Sequence, residues 1–339
     1  MTMRVTIKDV AREAGVAVST VSRMLNNSGP VSPEARQRIE AAARRLGYVP
    51  NATARSLITS KTHTLGILLP DLFGEFYSEV LRGLDQTARQ HAYHILVSSS
   101  HNDRRDIEAA LLAMNGRVDG LVVMAPAVDR RALRDNLPAR LPVVLLNCHV
   151  DASGFDTIRL DNEGGARALV EHLIAHGHHH IAMITGGAGN IDAEERLGGY
   201  RAALEAAGLP VDPGLIVEGD FTQAAGYRAM QALLARTPRP TALFAANDAM
   251  AIGAMGALRE AGLRVPEDVA VGGFDDIPMA PYLNPPLTSV HVPISELGAL
   301  AMQRLIDRIE NEHPPEPREE VIPTRLVVRA SSGGPVVSG

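Results

Sequence analysis

The stretch TIKDVAREAGVAVSTVSRMLN, residues 6–26, predicts two short helices joined by a tight turn. Thr6 can cap a first helix that runs through Ala14, because the apolar residues recur at i, i+3, i+4 and i+7, one stripe of a 3.6-residue period. Gly15 ends this helix, since glycine adopts the left-handed conformation of a C-cap without steric cost. Helical spacing resumes at Val18. Two short helices that meet at an angle are typical of a helix-turn-helix.

A third helix is predicted to begin at Ser32-Pro33-Glu34 and to end before Gly47. Serine caps a helix, proline suits its first position, and an acid suits the positive end of its dipole. The apolar residues of this segment keep the helical period, so three helices can share one small core.

The second helix is predicted to contact DNA bases, because its outward face presents short polar side chains and one arginine. Arg23 can make a bidentate contact to guanine, Ser19 a hydroxyl contact and Val18 an apolar contact to a thymine methyl group. The alternatives are that Arg23 contacts only phosphate and that Val18 is simply packed. The predicted DNA contacts of this head are Thr6, Val18, Ser19, Thr20, Ser22, Arg23 and Asn26.

Charge is unevenly divided along the chain. Residues 1–60 hold nine basic and four acidic residues, net +5, which leaves 24 basic and 35 acidic residues elsewhere, net −11. Phosphate contacts require locally clustered cations rather than a basic protein overall. The division therefore favours a polyanion that touches only the head, although charge alone leaves a solvated charged face as the alternative.

Composition bounds the class of protein. A chain of 339 residues corresponds to roughly two or three domains. With 45% apolar and 21% charged residues and no apolar run near the ~18 residues of a membrane span, a soluble globular protein without membrane insertion is expected. The N-terminus turns polar before a hydrophobic segment can form, so no secretory signal and a cytoplasmic location are expected. The single cysteine, Cys148, can form no disulfide within the chain.

Motifs typical of metal-binding, dinucleotide-binding and hydrolytic proteins are incomplete or absent in this sequence. His178-His179-His180 does not predict a metal site, because consecutive residues do not readily converge on one ion. Gly187-Ala188-Gly189 begins a dinucleotide fingerprint, but Asp192 stands where the third glycine belongs. The sequence contains no nucleophile elbow and no His-Glu-x-x-His motif. We therefore expect no catalytic residues, no metal and no cofactor.

The first 51 residues carry a series of short motifs: TIKDVA (6–11), AGV (14–16), STVSRMLN (19–26), VS (31–32) and LGYVPN (46–51). Together they resemble the DNA-binding head of the LacI/GalR family of bacterial transcription regulators. One departure is Ala17, where the family usually has serine, so a hydroxyl contact to the DNA backbone is expected to be absent.

The segment after Pro50 has too few turns for a helix that is stable alone. The resemblance implies that two such segments, one from each subunit, become helical in the minor groove of the operator and insert Leu57 as a wedge at a central base step. Asn51 and Arg55 are the other contacts predicted for this hinge. The alternative is a flexible linker in which Leu57 is incidental.

From Leu65 onward, short apolar strands alternate with amphipathic helices, which predicts βαβ units around parallel sheets. Two of the helices are predicted at Glu194–Ala206 and Gly226–Leu234. Family motifs continue to Thr288, and the resemblance implies a body of two α/β lobes like a periplasmic sugar-binding protein. The expected fold class is thus α/β, with an all-α head and a hinge helix. The expected domains are a head at 1–49, a hinge at 50–62 and an effector and dimerisation domain at 63–339, whose lobes cross near residues 162, 292 and 322.

Ligands of open α/β sheets bind at the carboxyl ends of the strands, so the effector site is sought there. Arg196 and Asp275 match positions that hold the effector in the family, and Phe221 matches an aromatic wall; a structural ion pair is the alternative. Asn190 and Asp192 stand where purine-binding members have a basic residue and a threonine, which argues against a purine. The predicted effector residues are Asp71, Phe73, Asn147, Asp192, Arg196, Phe221, Asn247 and Asp275.

Carboxylates, amides, one arginine and aromatic faces suit a neutral sugar, since each hydroxyl can donate to a carboxylate and accept from a guanidinium. The sequence thus predicts a homodimeric repressor that binds a near-palindromic operator and responds to a small molecule, a sugar in preference to other ligands. A purine- or nucleoside-responsive regulator is the alternative. A sugar receptor without DNA function, or an enzyme, is less favoured.

Overall fold

A computed structural model describes residues 5–26, 29–48, 61–101, 103–126, 137, 141–148 and 154–333. The chain divides into two compact units, Met1–His63 and Thr64–Gly339. Three of the predicted DNA contacts, Asn51, Arg55 and Leu57, lie outside the described residues.

Three helices form the first unit: α1 (Ile7–Ala14), α2 (Val18–Asn26) and α3 (Pro33–Leu46). The predicted stops are confirmed, because Gly15 and Gly47 both adopt φ 62° at the helix ends. The helices share a core of Val10, Ala11, Ala14, Val21, Ile39 and Ala42. An ion pair between Arg45 and Glu13 also joins α3 to α1.

The second unit begins with a parallel sheet, as the alternating pattern predicts. Its first elements are β1 (Thr64–Leu69), α4 (Glu75–Gln90), β2 (His94–Ser99), α5 (Arg104–Met114), β3 (Leu121–Met124), β4 (Val143–Leu146) and β5 (Asp156–Leu160). Residues of β1, β3 and β4 are buried on both faces, which is typical of parallel sheets covered by helices.

A second series builds the other lobe. It comprises α6 (Asn162–Ala175), β6 (Ile181–Thr185), α7 (Ile191–Ala206), β7 (Ile216–Glu218), α8 (Gln223–Leu234), β8 (Ala242–Ala245), α9 (Asp248–Glu260), β9 (Ala270–Asp275) and β10 (Thr288–His291). The chain then forms α10 (Ile294–Glu310), β11 (Glu319–Ile322) and β12 (Arg325–Val327).

The chain crosses between the lobes at three places. The first sheet has the order β11-β5-β4-β3-β1-β2 and the second β12-β10-β9-β8-β6-β7. Crossings therefore follow β5, β10 and β11, and α10 returns to pack on α4 of the first lobe. Pairing is parallel except between β10 and β12. Parallel order places the carboxyl ends of the central strands of each lobe at one edge of its sheet.

Two helices of the second lobe begin three residues earlier than their apolar pattern predicts. The pattern places these starts at Glu194 and Gly226, whereas the helices begin at Ile191 and Gln223. The reason is capping: the side chain of Asn190 accepts a hydrogen bond from the Ala193 amide, and that of Thr222 accepts one from the Ala225 amide. Both caps lie beside the cleft described next.

Candidate effector site and nucleic-acid interface

A cleft of about 190 Å³ lies between the two lobes, at the carboxyl ends of their strands. Seven of the eight predicted effector residues line it: Asp71, Phe73, Asp192, Arg196, Phe221, Asn247 and Asp275. The eighth, Asn147, follows β4 and is buried behind Asp192, to which its amide donates a hydrogen bond of 3.4 Å. The predicted residues span 205 positions of the chain, from Asp71 to Asp275, and the fold brings them together at this cleft.

Arg196 is the cation of this cleft and is held on three sides. It is 3% exposed. Its Nε donates to Oδ1 of Asn162 at 2.9 Å, and its Nη1 donates to the carbonyl of Ala246 at 2.5 Å. The guanidinium carbon also lies 3.8 Å from the centre of the Phe274 ring. Among the described residues, none accepts a hydrogen bond from Nη2, which leaves that nitrogen for a ligand.

Asp275 lies opposite Arg196, but the arginine donates no hydrogen bond to its Oδ1. Its Oδ1 lies 3.5 Å from Nη1 of Arg196, is buried, and receives no hydrogen bond from the described residues. Burial raises the pKa of Asp275 to about 7; the Arg196 guanidinium opposes this shift and the Asp192 carboxylate adds to it. The residue adopts φ 105°, a conformation rare for an aspartate and found mainly at sites where function holds it.

Asp192 is the second buried carboxylate of the cleft. It accepts a hydrogen bond of 2.9 Å from Nδ2 of Asn162 in addition to the longer one from Asn147. Burial raises the pKa of Asp192, while Arg196 and the two amides lower it. With two buried acids for one arginine, the cleft disfavours a multiply charged anion.

Aromatic side chains flank the charged floor. Phe73 is 79% exposed at the mouth, and Phe76 and Tyr77 of α4 meet edge to face with ring centres 5.5 Å apart. Phe221 adopts φ 67° after β7, and its carbonyl accepts a hydrogen bond from the Asn247 amide at 3.1 Å. Asn247 also caps α9 through the Met250 amide, so its amide serves to position Phe221.

Sequence reasoning missed Phe76, Tyr77 and Asn162. The two aromatic residues fall within the amphipathic pattern of α4, where a core position and a cleft position look the same. Asn162 lies where the sequence predicts the first crossing between the lobes, but its contacts lie 30 to 34 positions along the chain. The signal that could have found it is an amide residue two positions after the apolar strand that ends at Leu160, at the start of the next helix.

Cys148 is packed in the core rather than in the cleft. Its Sγ receives a hydrogen bond from the Ala125 amide at 3.2 Å, and burial raises the pKa of the thiol to about 12. Over the part of the chain that the structure describes, no three histidine, cysteine or acidic side chains form a metal-binding group. Nor is any helix of that part long and apolar enough to cross a membrane.

The predicted base-reading face of α2 is accessible. Val18 is 42% exposed, Ser19 and Arg23 are exposed, and Thr20 and Ser22 are half-buried. Val21 points into the core at 0% exposure, as its helical position predicts. Arg23 Nε donates weakly to the Ser19 carbonyl at 3.4 Å. Asn26 is the last residue of α2.

Thr6, another predicted DNA contact, is the N-cap of α1 and is exposed. The Asp9 carboxylate accepts hydrogen bonds from the amide and the hydroxyl of Thr6, at 3.0 and 2.7 Å, and these bonds lower the pKa of Asp9. The pair fixes the start of the helix, which leaves the exposed backbone of the cap at the surface.

Comparison with known proteins agrees with this arrangement. A family model described as bacterial regulatory proteins, lacI family, matches residues 6–51, and one described as a periplasmic binding protein-like domain matches residues 170–332. The ribose operon repressor of Escherichia coli (strain K12) is 39% identical over 330 residues, which cover 96% of this chain and 99% of that protein.

Two solved structures are similar over most of their length. The lac repressor dimer bound to operator and the anti-inducer ONPF gives a TM-score of 0.86 at 30% identity, covering 97% of this chain and 99% of that one. A LacI family transcriptional regulator from Enterococcus faecium with bound ribose gives a TM-score of 0.72 at 30% identity, covering 79% of this chain and 98% of that one.

A helix-turn-helix head followed by a two-lobed body with a polar cleft defines a DNA-binding transcription regulator. The chain belongs to the LacI family of bacterial regulatory proteins. The relatives that match over nearly the whole chain are repressors, whose function is not enzymatic.

Proposed function

We propose that the protein is a cytoplasmic repressor that binds a near-palindromic operator as a homodimer and changes its operator affinity when a neutral monosaccharide occupies the cleft. One observation carries the ligand class. Two residues that line one cavity keep unused hydrogen-bonding capacity among the described residues: Asp275 Oδ1 has no donor and Arg196 Nη2 has no acceptor. A hydroxyl group satisfies both, because it donates and accepts at once.

The size and charge of the cleft support a single sugar ring. Its volume of about 190 Å³ is below the roughly 300–1,000 Å³ of pockets for drug-sized ligands. Ribose is the first sugar to test, since a relative is named for the ribose operon and a similar structure holds ribose. We assign the floor of the site to Arg196, Asp275 and Asp192, and its walls and rim to Asp71, Phe73, Phe221 and Asn247. Asn147, buried behind the floor, supports Asp192.

For the DNA, we assign base and backbone contacts to Thr6, Val18, Ser19, Thr20, Ser22, Arg23 and Asn26 of the head, which we bound at residues 1–49. Residues 50–62 form the hinge, where Asn51, Arg55 and Leu57 contact the minor groove. The exposed face of α2 and the basic charge of the head support these assignments. Two-fold symmetry of the dimer then requires two matching half-sites.

Calorimetry on the purified protein tests the ligand class with D-ribose, other pentoses and hexoses, guanine and hypoxanthine. We expect a sugar to bind and Arg196→Ala to abolish that binding, whereas Arg201→Ala, an exposed arginine of the same helix, keeps it. Tight binding of a purine with all sugars inert would refute the sugar assignment. A gel shift on DNA upstream of the gene, with and without the bound sugar, tests regulation; no retarded band at low salt in either state contradicts the proposal.

A further inference from the structure

Asn162, the first residue of α6, is hydrogen-bonded to three side chains of α7. Its Oδ1 accepts from Nε of Arg196, and its Nδ2 donates to Oδ1 of Asp192 and to Oε2 of Glu195, each at 2.9 Å. Both amide hydrogens and the amide carbonyl are therefore engaged. The side chain is only 2% exposed, so water cannot replace these partners.

The chemistry of this position requires an amide. Its neighbours are one cation, Arg196, and two carboxylates, Asp192 and Glu195, so a single side chain must accept on one side and donate twice on the other. An ionised aspartate would place a third carboxylate against the other two. An apolar residue would leave the buried Nε of the arginine without a partner.

A second set of contacts joins this cluster to the strands on either side of two crossings. Glu195 is also bonded to Arg159 of β5, and Nη1 of Arg159 donates to Glu319 of β11 at 2.9 Å. Strand β5 leads into the first crossing and β11 into the third. A continuous polar chain therefore runs from Arg196 through Asn162 and Glu195 to the two strands of the first lobe.

We propose that Asn162 is a positioning residue that fixes the orientation of the effector arginine and links it to the crossing strands. With Nε bound by Asn162, Nη1 by Ala246 and the ring face by Phe274, the guanidinium has one orientation, and Nη2 stays available for ligand. The significance of this orientation for sugar binding rests on the proposed function. The positioning itself is a property of the protein without ligand.

Nuclear magnetic resonance of the arginine Nε–H groups measures the positioning directly. The full chain is labelled with ¹⁵N-arginine, and the Arg196 signal is assigned with Arg196→Lys. We expect a slowly exchanging, ordered Nε–H signal in the natural protein and at least about ten-fold faster exchange with solvent in Asn162→Ala. The control is Glu163→Gln, an exposed neighbour on α6, which leaves the Arg196 signal unchanged. Equal protection in Asn162→Ala and the natural protein would overturn the proposal.

A second variant keeps the test independent of folding defects. Asp192, Glu195 and Arg196 are the charged groups that contact position 162, with Arg159 beyond Glu195. In Asn162→Asp the ionised acid faces two carboxylates at about pH 8, whereas at about pH 5.5 the protonated acid accepts from Arg196 and donates to one of the two carboxylates. At about pH 5.5, exchange of the Arg196 Nε–H in Asn162→Asp should therefore slow towards its rate in the natural protein at the same pH. Failure of this rescue contradicts the positioning role.

Calorimetry with D-ribose then separates this inference from the proposed function. Asn162→Ala should weaken ribose binding about 10- to 100-fold, the loss typical when a partner that orients a ligand-binding group is removed. A further outcome is that ribose does not bind the natural protein while Asn162→Ala still speeds exchange of the Arg196 Nε–H. In that case the sugar assignment is wrong and the positioning role is supported.

Discussion

At the scale of single residues, burial disfavours the ionised form of the acids in and near the cleft. Asp248, beneath the site, is fully buried and accepts hydrogen bonds from the Ser289 hydroxyl at 2.6 Å and the Ile277 amide at 2.9 Å. Burial raises its pKa well above the usual range, and Asp275 raises it further. Such charge is retained at a cost in stability, which is expected where a site is built to bind.

Replacing Asp275 by asparagine should stabilise the protein and abolish sugar binding. The folded-state pKa of about 7 lies above the unfolded value of 3.8, so the native state binds more protons between these values and stability falls as pH rises through that window. Removing the charge should add about 1–3 kcal/mol to the free energy of unfolding at about pH 8 and little at about pH 4. Urea denaturation measures this. Asp85→Asn, in a surface ion pair, should change stability by less than about 0.5 kcal/mol.

Sugar affinity should also depend on pH through Asp275. A carboxylate that accepts hydroxyl hydrogens must be ionised, and with its pKa at about 7 most of it is protonated at pH 6. The dissociation constant should therefore rise about 5- to 10-fold from about pH 8 to pH 6. Calorimetry in buffers matched for ionic strength measures it. A constant affinity over this range would show that Asp275 is not a direct acceptor.

At the scale of elements, α6 and α7 are close enough that their backbones touch. A Cβ at Gly199 would overlap the carbonyl oxygen of Glu163 and crowd Ala166, whereas nothing lies within 4 Å of a Cβ at the adjacent Gly198. The close approach is what brings Asn162 to the side chains of α7. Glycine is therefore required at position 199 but not at position 198 of the same helix.

Gly199→Ala and Gly198→Ala form a matched pair that tests this packing. The first should destabilise the protein by about 1–3 kcal/mol or more, because backbone atoms cannot yield as a flexible side chain does. The second should be neutral or stabilising by about 0.5–1 kcal/mol, since alanine favours a helix more than glycine does. Thermal denaturation of both variants checks the difference. Equal destabilisation would show that helix propensity or a general distortion, not the interhelical contact, decides the result.

At the scale of the whole molecule, the two compact units differ in charge and in the kind of surface that they carry. The head carries the excess of basic residues and the exposed face of α2, while the body carries the acidic excess and the cleft. An acidic body disfavours contact with DNA, so the charge division favours binding of a duplex by the head. Coupling between the units is typically worth about 1–3 kcal/mol in allosteric proteins.

Arg23→Ala should abolish preference for the operator over unrelated DNA. One bidentate contact to guanine is worth about 1–3 kcal/mol of discrimination, and a dimer makes the contact twice. Arg36→Ala, an exposed arginine of α3, should at most weaken binding to all sequences alike. Competition gel shifts at several salt concentrations measure both effects. Unchanged discrimination in Arg23→Ala would mean that this side chain contacts only phosphate.

Much of the architecture is predictable from the chain because its signals are local. The three helices of the head are predicted by helix caps such as Thr6 and Ser32, by the glycines that end helices, and by apolar periodicity. The strands of the body are predicted by their alternation with helices. The same reasoning places two helix starts late, since Asn190 and Thr222 act through capping bonds that periodicity does not contain. It also finds most cleft residues, because the carboxyl ends of parallel strands meet at one edge of a sheet.

The sequence by itself determined the helix-turn-helix and the alternation of strands and helices, since each depends on residues a few places apart. Its resemblance to a known family implied the two lobes and the effector positions Arg196 and Asp275. Tertiary structure alone decided that Asn162 holds Arg196 from 34 positions away, and that Arg159 meets Glu319 from 160 positions away. The physical reason is that such partners are chosen by how helices and strands pack. A buried polar group takes whichever partner that packing brings within reach.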